Sequence, residues 1–292
     1  MHDVFAATRI WQLHHVQHLP KHATATGQRL FGKERHHDAW KGQAALSDAR
    51  ERLLDYTYNI LHSADFYDDP SDNIRTISNM EVATITYIDK RLEIMDSWQI
   101  YVEDKKNPNC LVGIEQVFDV TLFYDDSTHI RYIGTLDGLC YVPHKEAYFL
   151  EENKTASRLD EGWRQSFEMV HQITGYCACS TALFGFLVLN AHVFGLKLKP
   201  TGREDIHNFQ VRRDLNAITH WANWVYYTVK LYEQFRDDFE NAPRFTHSCN
   251  RYFRPCSLIP FCADTPEGRQ EQWEDMEPAP LSPSEQAVQE LF

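Results

Sequence analysis

The spacing of hydrophobic residues predicts helices in the first part of the chain and strands after it. "ALSDARERLLDYTYNIL" places apolar residues at helical intervals after a cap at Ser47. "NMEVATITYIDKRLEIMDSWQIYV" continues as a helix and ends in the polar turn "EDKKNPNC". The period then shortens, and three strand-like segments follow, separated by turn residues: "CLVGIEQVFDVTLFY", "HIRYIGTLDGLCYV" and "EAYFLEENKTA". This order predicts three consecutive strands after a helical N-terminal part.

The second half of the chain alternates between the two periods. A helix is predicted from Glu161 to Leu183, then strands in "FLVLNAHVFGLKL" and "NFQVRRD", and a helix in "LNAITHWANWVYYTVKLYEQFRDDFE". We therefore predict one α/β domain over 1–263 with a helical N-terminal elaboration. Within this domain, the helical region covers 1–107, the core 108–240 and a cysteine-containing segment 241–263. A disordered acidic tail is predicted over 264–292.

Composition narrows the class of protein. With 292 residues, 43% of them hydrophobic, the chain can bury a substantial core. It has no apolar run of membrane-spanning length and no signal-peptide pattern, so we expect a soluble cytoplasmic protein without a membrane partner. Its seven cysteines favour metal binding or free thiols over a disulfide framework. The net charge of −13 argues against a general positive coat for nucleic acid, although it leaves room for a local basic groove around an acidic metal centre.

The charged stretch "FLEENKTAS" suggests chemistry. In an extended segment Glu152 and Lys154 share one face, and Asp137 lies on the preceding strand, in "GTLDG". A short hairpin between these strands brings the two carboxylates within reach of one divalent cation. Mg²⁺ prefers oxygen ligands and bridges phosphates, and a nearby ammonium can orient a nucleophile or neutralise developing charge. The alternative is an ordinary surface ion pair between Glu152 and Lys154.

A second pair supports the catalytic interpretation. Gln172 and Tyr176 lie one turn apart on one face of the following predicted helix. A carboxamide and a phenol in that position could contact a DNA backbone or base edges beside a metal ion. Taken alone, the pair is a weak signal and favours a tyrosine at the edge of the core.

In this order the motifs resemble those of a known family. Gly134-Thr-Leu-Asp137, Glu152-Asn-Lys154 and Gln172-x-x-x-Tyr176 together resemble the PD-(D/E)XK nuclease superfamily, in its RecB-like branch, and the flanking text is similar to phage-encoded members. The resemblance covers residues 28–263. It implies a restriction-endonuclease-like core, a mixed sheet flanked by helices, and a metal-dependent deoxyribonuclease. An exonuclease of recombination, repair or end processing is expected, because exonucleases are common in this branch.

The resemblance also implies roles for particular residues and partners. Mg²⁺ or Mn²⁺ would be held by Asp137, Glu152 and the Asn153 carbonyl, with Lys154 as the catalytic lysine. DNA would be the substrate, with a recombination or single-strand-binding protein as a further partner. An early Gly-x-x-x-His element is matched by "GKERH", which ends at His36 and leaves His37 as the alternative ligand. Glu115 is either an auxiliary ligand or, as we favour, a structural residue.

The late cysteines remain open between three interpretations. Some relatives hold a [4Fe-4S] cluster through one early and three late cysteines, and "CNRYFRPCSLIPFC" supplies Cys249, Cys256 and Cys262. No cysteine precedes Cys110, so His18 or Cys110 would have to complete such a cluster. Buried thiols and a zinc site are the alternatives. Cys177 and Cys179 are expected to be ordinary helix residues.

Two further functions therefore compete with a nuclease. The first is a nuclease fold without catalytic activity, kept as a nucleic-acid-binding or assembly module. The second is a structural zinc or iron–sulfur protein whose acids only pair with lysine.

Overall fold

The computed structural model describes residues 4–9, 43–63, 73–94, 97–101, 113–124, 129–198, 205–236, 265 and 268–269, with the backbone alone at 43–49 and 52. A helical segment covers 4–9. The labelled helices are α1 (Gln43–Leu61), α2 (Ile77–Ile94), α3 (Glu161–Gln165), α4 (His171–Phe184) and α5 (Leu215–Phe235). The strands are β1 (Gln99–Ile100), β2 (Ile114–Tyr124), β3 (His129–Val142), β4 (Ala147–Ala156), β5 (Asn190–Lys197) and β6 (Ile206–Arg212).

The six strands form one mixed sheet. Its order is β1-β3-β4-β5-β6, and β2 also pairs with β3. The β3–β4 and β5–β6 pairs are antiparallel, whereas β4 and β5 run parallel and are connected through α3 and α4. The predicted α/β fold, a mixed sheet flanked by helices with helices also in the N-terminal part, is confirmed.

Apolar residues are buried on both faces of the sheet. On one face α4 contributes Ile173 and Cys177 to a cluster with Leu139, Leu150 and Val193. On the other face Ala6, from the segment 4–9, packs with Trp98, Phe149 and Phe194. Val4 and Ala7 pack with Leu53 of α1 and Ile88 of α2, which ties these helices to that segment. The strands at the centre of the sheet are therefore covered on both sides.

The β2, β3 and β4 strands lie within the segments that their alternating patterns predict, but the preceding helix was predicted too long. It ends at Ile94, and residues 99–100 form β1, which pairs with Tyr141 and Cys140 of β3. A partner that lies forty or more residues away along the chain overrides the local helical period there. The predicted cap at Ser47 is also wrong, because α1 begins at Gln43.

The single helix predicted over 161–183 is two helices. Asp160 caps α3 by accepting a hydrogen bond at 2.8 Å from the backbone N–H of Trp163, and α3 ends after five residues. The second helix, α4, ends at Gly185, whose φ of 74° lies in the left-handed region that glycine adopts readily. The next strand was predicted from residue 186 but begins at Asn190.

The chain divides into two compact units. The first unit comprises the described residues within Met1–Val120 and Tyr132–Trp221. The second unit comprises the described residues within Thr121–Arg131 and Ala222–Phe292. Within the second unit, the rings of Phe123 and Tyr226 lie 5.1 Å apart. The predicted boundaries near residues 107, 240 and 263 lie outside the described residues. None of the described helices is both long and apolar enough to cross a membrane.

Candidate functional site

The site is built where β3 and β4 run side by side. Gly138 of β3 pairs with Glu151 of β4, and one further step of this register would place Asp137 opposite Glu152. The Oδ2 atom of Asp137 accepts a hydrogen bond at 2.8 Å from the backbone N–H of Asn153. Asp137 and Glu152 are 8% and 2% exposed, so both carboxyl groups are largely removed from water.

The predicted lysine lies directly at this acidic pair. Lys154 Nζ is 2.5 Å from Glu152 Oε1, and the lysine side chain is partly exposed whereas the glutamate is buried. Burial raises the pKa of Glu152, and repulsion from Asp137 raises it further, while the attraction of Lys154 opposes both. Ionising both acids here is therefore unfavourable, and a bound cation would relieve the cost.

The Gln-x-x-x-Tyr pair lies on α4. Gln172 Nε2 donates a hydrogen bond to the Tyr176 hydroxyl at 3.1 Å, as their spacing of one turn predicts. Burial raises the pKa of Tyr176; the hydrogen bond from Gln172 opposes this, and the negative charges of Glu152 and Asp137 add to it. The phenol therefore lies within the electrostatic field of both acids. The structure therefore brings Asp137, Glu152 and Lys154 together, and it places Tyr176 within electrostatic range of the two acids.

A charged cluster on the opposite face of β4 was not found from the sequence. Glu151 is fully buried there: Arg9 Nε donates to its Oε1 at 2.7 Å, and Arg91 Nη1 lies 3.0 Å from its Oε2. Trp98 Nε1 donates to the same Oε2 at 3.3 Å. The only sequence signal was the strand alternation, which turns Glu151 away from Glu152. Its arginine partners lie far away in the chain, on 4–9 and α2.

Arg9 connects this cluster to the acidic site. Its Nη1 donates to the backbone carbonyl of Asp137, and its Nη2 lies 4.0 Å from Asp137 Oδ2. A β-carbon at Gly138 would lie 3.0 Å from Glu151 Cβ and 3.4 Å from Arg9 Nε. Glycine at 138 therefore leaves room for the Arg9 guanidinium to pack against the paired strands.

Glu115 lies at the start of β2, near the same arginine. Its Oε1 is 3.4 Å from Arg9 Nη1, and its backbone φ is 47°, an uncommon value for glutamate. This ion pair gives the Glu115 carboxylate a structural contact, and its role as an auxiliary ligand or a structural residue stays a prediction.

Asn153 is fixed from both sides of the strand. Its side-chain Oδ1 accepts a hydrogen bond at 3.1 Å from the hydroxyl of Tyr87 on α2, while its backbone N–H binds Asp137. Position 153 is therefore held rigidly between the acidic pair and α2.

The oxygen donors of this site suit a hard divalent cation. Two carboxylates and the nearby Asn153 backbone could hold Mg²⁺ or Mn²⁺ with water completing the shell. Among the described residues, no group of three or more His, Cys, Asp and Glu side chains is arranged to hold a metal ion. The proposed early ligand His36, its neighbour His37 and the alternative cluster ligands His18 and Cys110 lie outside the part of the chain that the structure describes.

Some of the cysteines discussed from the sequence lie outside the described residues, and others lie within them. Cys249, Cys256 and Cys262 fall outside the described residues, so an iron–sulfur cluster, a zinc site and buried thiols all stay open. Cys177 and Cys179 are free, buried residues of α4, as expected. Burial raises the pKa of each thiol to about 12, so both are protonated core groups near neutral pH.

Comparison of the chain with models of protein families finds no match, and comparison with curated proteins finds no significant match.

Proposed function

We propose that the chain is a divalent-metal-dependent deoxyribonuclease of the PD-(D/E)XK type that degrades DNA from its ends. The observation that carries this proposal is the buried pair Asp137 and Glu152, with Lys154 at 2.5 Å from one of the acids. Two largely buried carboxylates whose mutual repulsion helps to raise the pKa of Glu152 are costly for stability alone, which favours a functional reason for keeping them. An exonuclease is preferred because the sequence shows no DNA-reading module.

Each residue has a defined part in this reaction. Asp137, Glu152 and the Asn153 carbonyl would hold Mg²⁺ or Mn²⁺, which when bound supplies charge stabilisation and an activated water. Lys154, whose Nζ lies 2.5 Å from Glu152 Oε1, would use its ammonium to position the attacking water or to neutralise charge on the phosphate. Gln172 and Tyr176 guide the strand from α4. The hydrogen bond from Gln172 fixes the orientation of the phenol.

A cleavage assay tests the proposal. End-labelled linear DNA and closed circular DNA are incubated separately with the purified protein and Mn²⁺, alongside Asp137→Asn and Lys154→Met. We expect degradation of the linear DNA alone, reduced by about 100-fold or more in each variant. Lys90→Ala is the matched control, since Lys90 is an exposed lysine of α2 that pairs with Glu93 at 2.9 Å. Equal cleavage by the wild type and Asp137→Asn would rule the proposed site out.

A nuclease fold without catalytic activity, acting as a nucleic-acid-binding or assembly module, is the second candidate. The ion pair between Lys154 and Glu152 favours it, because it balances the charge of one acid without any metal. Such a module would retain DNA affinity in EDTA and yield no products with Mn²⁺. A recombination or single-strand-binding protein would be a partner under either function.

A further inference from the structure

Arg9 is a buried arginine that contacts the acidic site from the face of β4 opposite Glu152. It ends the helical segment 4–9, in which every residue is 3% exposed or less. The apolar side chains of this segment belong to three different core clusters, and Thr8 Oγ1 donates a hydrogen bond to the Val4 carbonyl at 2.7 Å. This packing holds the segment, and with it Arg9, against the sheet.

The guanidinium of Arg9 binds two neighbouring strands at once. Its Nε donates to Glu151 Oε1 on β4 at 2.7 Å, and its Nη1 donates to the backbone carbonyl of Asp137 on β3. The planar group fixes the angle between these two contacts, which a single ammonium could not make together. Arg9 therefore sets the position of the Asp137 main chain relative to β4, the strand that carries Glu152.

The third nitrogen of the guanidinium lies beside the Asp137 carboxylate. Nη2 is 4.0 Å from Asp137 Oδ2, and it is buried without a hydrogen-bond partner among the described residues. Oδ2 accepts from the backbone N–H of Asn153 at 2.8 Å, which leaves Oδ1 for a cation. A buried N–H group without a partner costs free energy, and a functional reason for placing Arg9 beside Asp137 would explain why that cost is kept.

The charge of Arg9 is balanced within the buried cluster. Glu151 lies between Arg9 and Arg91, and Glu115 Oε1 is 3.4 Å from Arg9 Nη1, so two positive and two negative groups lie together. A balanced cluster adds little net field at the acidic site and repels a cation only weakly. Arg9 is therefore expected to act on the site through its geometry rather than through its charge.

We propose that Arg9 is a positioning residue of the acidic site: it holds Asp137 where the acid can bind a divalent cation, so metal binding depends on the docked segment 4–9. This inference rests on the proposed function, since it assumes a cation at Asp137 and Glu152. Arg9 acts through Asp137 and does not contact the cation or the DNA. Loss of a contact that orients a metal ligand typically weakens metal binding by about 10–100-fold.

Calorimetric titration with Mn²⁺ in the absence of DNA tests this role without cleavage. Arg9→Lys keeps the charge but cannot contact Glu151 and Asp137 together, so the affinity for Mn²⁺ should fall by about tenfold or more. Arg91→Lys is the matched control, because Arg91 is also buried and lies 3.0 Å from the other oxygen of Glu151. In urea denaturation both variants should lose stability, but Arg91→Lys should bind Mn²⁺ like the wild type.

The outcomes separate this inference from the proposed function. Wild-type affinity for Mn²⁺ in Arg9→Lys would show that Arg9 only stabilises the core, and it would overturn this inference alone. An equal loss of affinity in Arg9→Lys and Arg91→Lys would also overturn it, because the effect would then belong to the whole buried cluster. If the wild type itself binds no Mn²⁺, the proposed function and this inference both fail.

Hydrogen exchange of the wild-type protein gives a second measurement, which decides the question even if Arg9→Lys does not fold. Coupling between two sites is reciprocal, so a cation that needs Arg9 in place must also hold segment 4–9 in place. Saturating Mn²⁺ should slow exchange of the 4–9 amides by about tenfold or more. The amides of α3, a five-residue helix without buried residues, should be unaffected. Unchanged exchange in 4–9, or equal slowing in α3, would overturn the inference.

Discussion

Two neighbouring glutamates of β4 have opposite electrostatic environments. Burial raises the pKa of the Glu151 carboxyl, but the combined attraction of Arg91 and Arg9 is larger and lowers it to about 2. At Glu152 burial and Asp137 together outweigh Lys154, and the pKa is raised. The first acid is therefore a permanently charged structural group. The second ionises at a cost, which is the property expected of a cation ligand.

Removing the charge of Glu151 should destabilise the protein. In Glu151→Gln two buried arginines lose their shared counterion, at a cost of about 3–5 kcal/mol in the free energy of unfolding. The variant is compared with the wild type by urea denaturation near neutral pH. Glu161→Gln, which removes an exposed ion pair to Arg164, is the control and should change stability little. Equal effects of the two substitutions would contradict a structural role for the buried cluster.

The same group predicts a dependence of stability on pH. Because the folded pKa of Glu151 is lowered from 4.5 to about 2, its contribution is complete above pH 4.5 and is lost as pH falls toward 2. The wild-type denaturation midpoint should therefore decrease as the pH is lowered from 4.5 to 2. The midpoint of Glu151→Gln should decrease less steeply over the same range. Parallel curves for the two proteins would contradict the assignment.

The raised pKa of Glu152 predicts that its contribution to stability changes with pH in the opposite direction, and it links stability to metal binding. A carboxyl whose folded pKa is raised binds its proton more tightly in the folded state, so its contribution to stability decreases as pH rises above 4.5. Under the proposed function, Mn²⁺ would bind the deprotonated pair and should therefore raise the melting temperature more at about pH 8 than at about pH 5.5. Glu152→Gln should show a small shift that is similar at both values. A wild-type shift that is the same at both pH values would show that the cation binds elsewhere.

At the scale of elements, a close contact between α4 and β3 fixes the part of the helix that carries Tyr176. A β-carbon at Gly175 would lie 2.7 Å from Trp221 Cζ2 and 2.8 Å from the Tyr132 hydroxyl, and these two rings pack 5.2 Å apart. Because neither ring can move without disturbing the other, Gly175 sets the distance between the helix and the strand.

Gly175→Ala should therefore push α4 away from the sheet. We expect a net loss of about 1–3 kcal/mol in the free energy of unfolding, since overpacking outweighs the helix propensity of alanine. Cleavage activity should fall as well, because Tyr176 follows directly in the chain. Gly162→Ala is the matched control, for its β-carbon would come no closer than 3.5 Å to Asp160. Unfolding and cleavage measurements on both variants check this, and a stable, active Gly175→Ala would show that the helix is free to adjust.

The same elements show which features the sequence could predict. The strands β3 and β4 could be predicted from the alternation of hydrophobic and polar residues between turns. The same alternation places Glu151 and Glu152 on opposite faces of β4. The β1 strand and the break between α3 and α4 were missed, since a two-residue strand and a short helix depend on distant partners and a local cap. Arg9 could not be recognised, because its contacts with Glu151 and Asp137 join residues more than a hundred positions apart.

At the scale of the whole molecule, the net charge of −13 opposes binding of a polyanion. If the chain is the proposed nuclease, a divalent cation held by Asp137 and Glu152 would reduce this charge where the phosphate must approach. Ca²⁺ serves to measure binding while cleavage is suppressed. Under the proposed function, Ca²⁺ should therefore raise the affinity of the protein for DNA. Phosphate contacts should also make affinity fall as salt concentration rises.

Fluorescence anisotropy with a labelled duplex that carries a single-stranded end measures this effect. We expect affinity in Ca²⁺ to exceed that in EDTA by about tenfold, corresponding to about 1.4 kcal/mol of relieved repulsion and metal bridging. The double variant Asp137→Asn and Glu152→Gln removes both charges, so it should bind DNA in EDTA better than the wild type and respond little to Ca²⁺. If the wild type and the double variant gain equally from Ca²⁺, the ion acts by general screening. DNA recognition would then have to lie away from the buried acids.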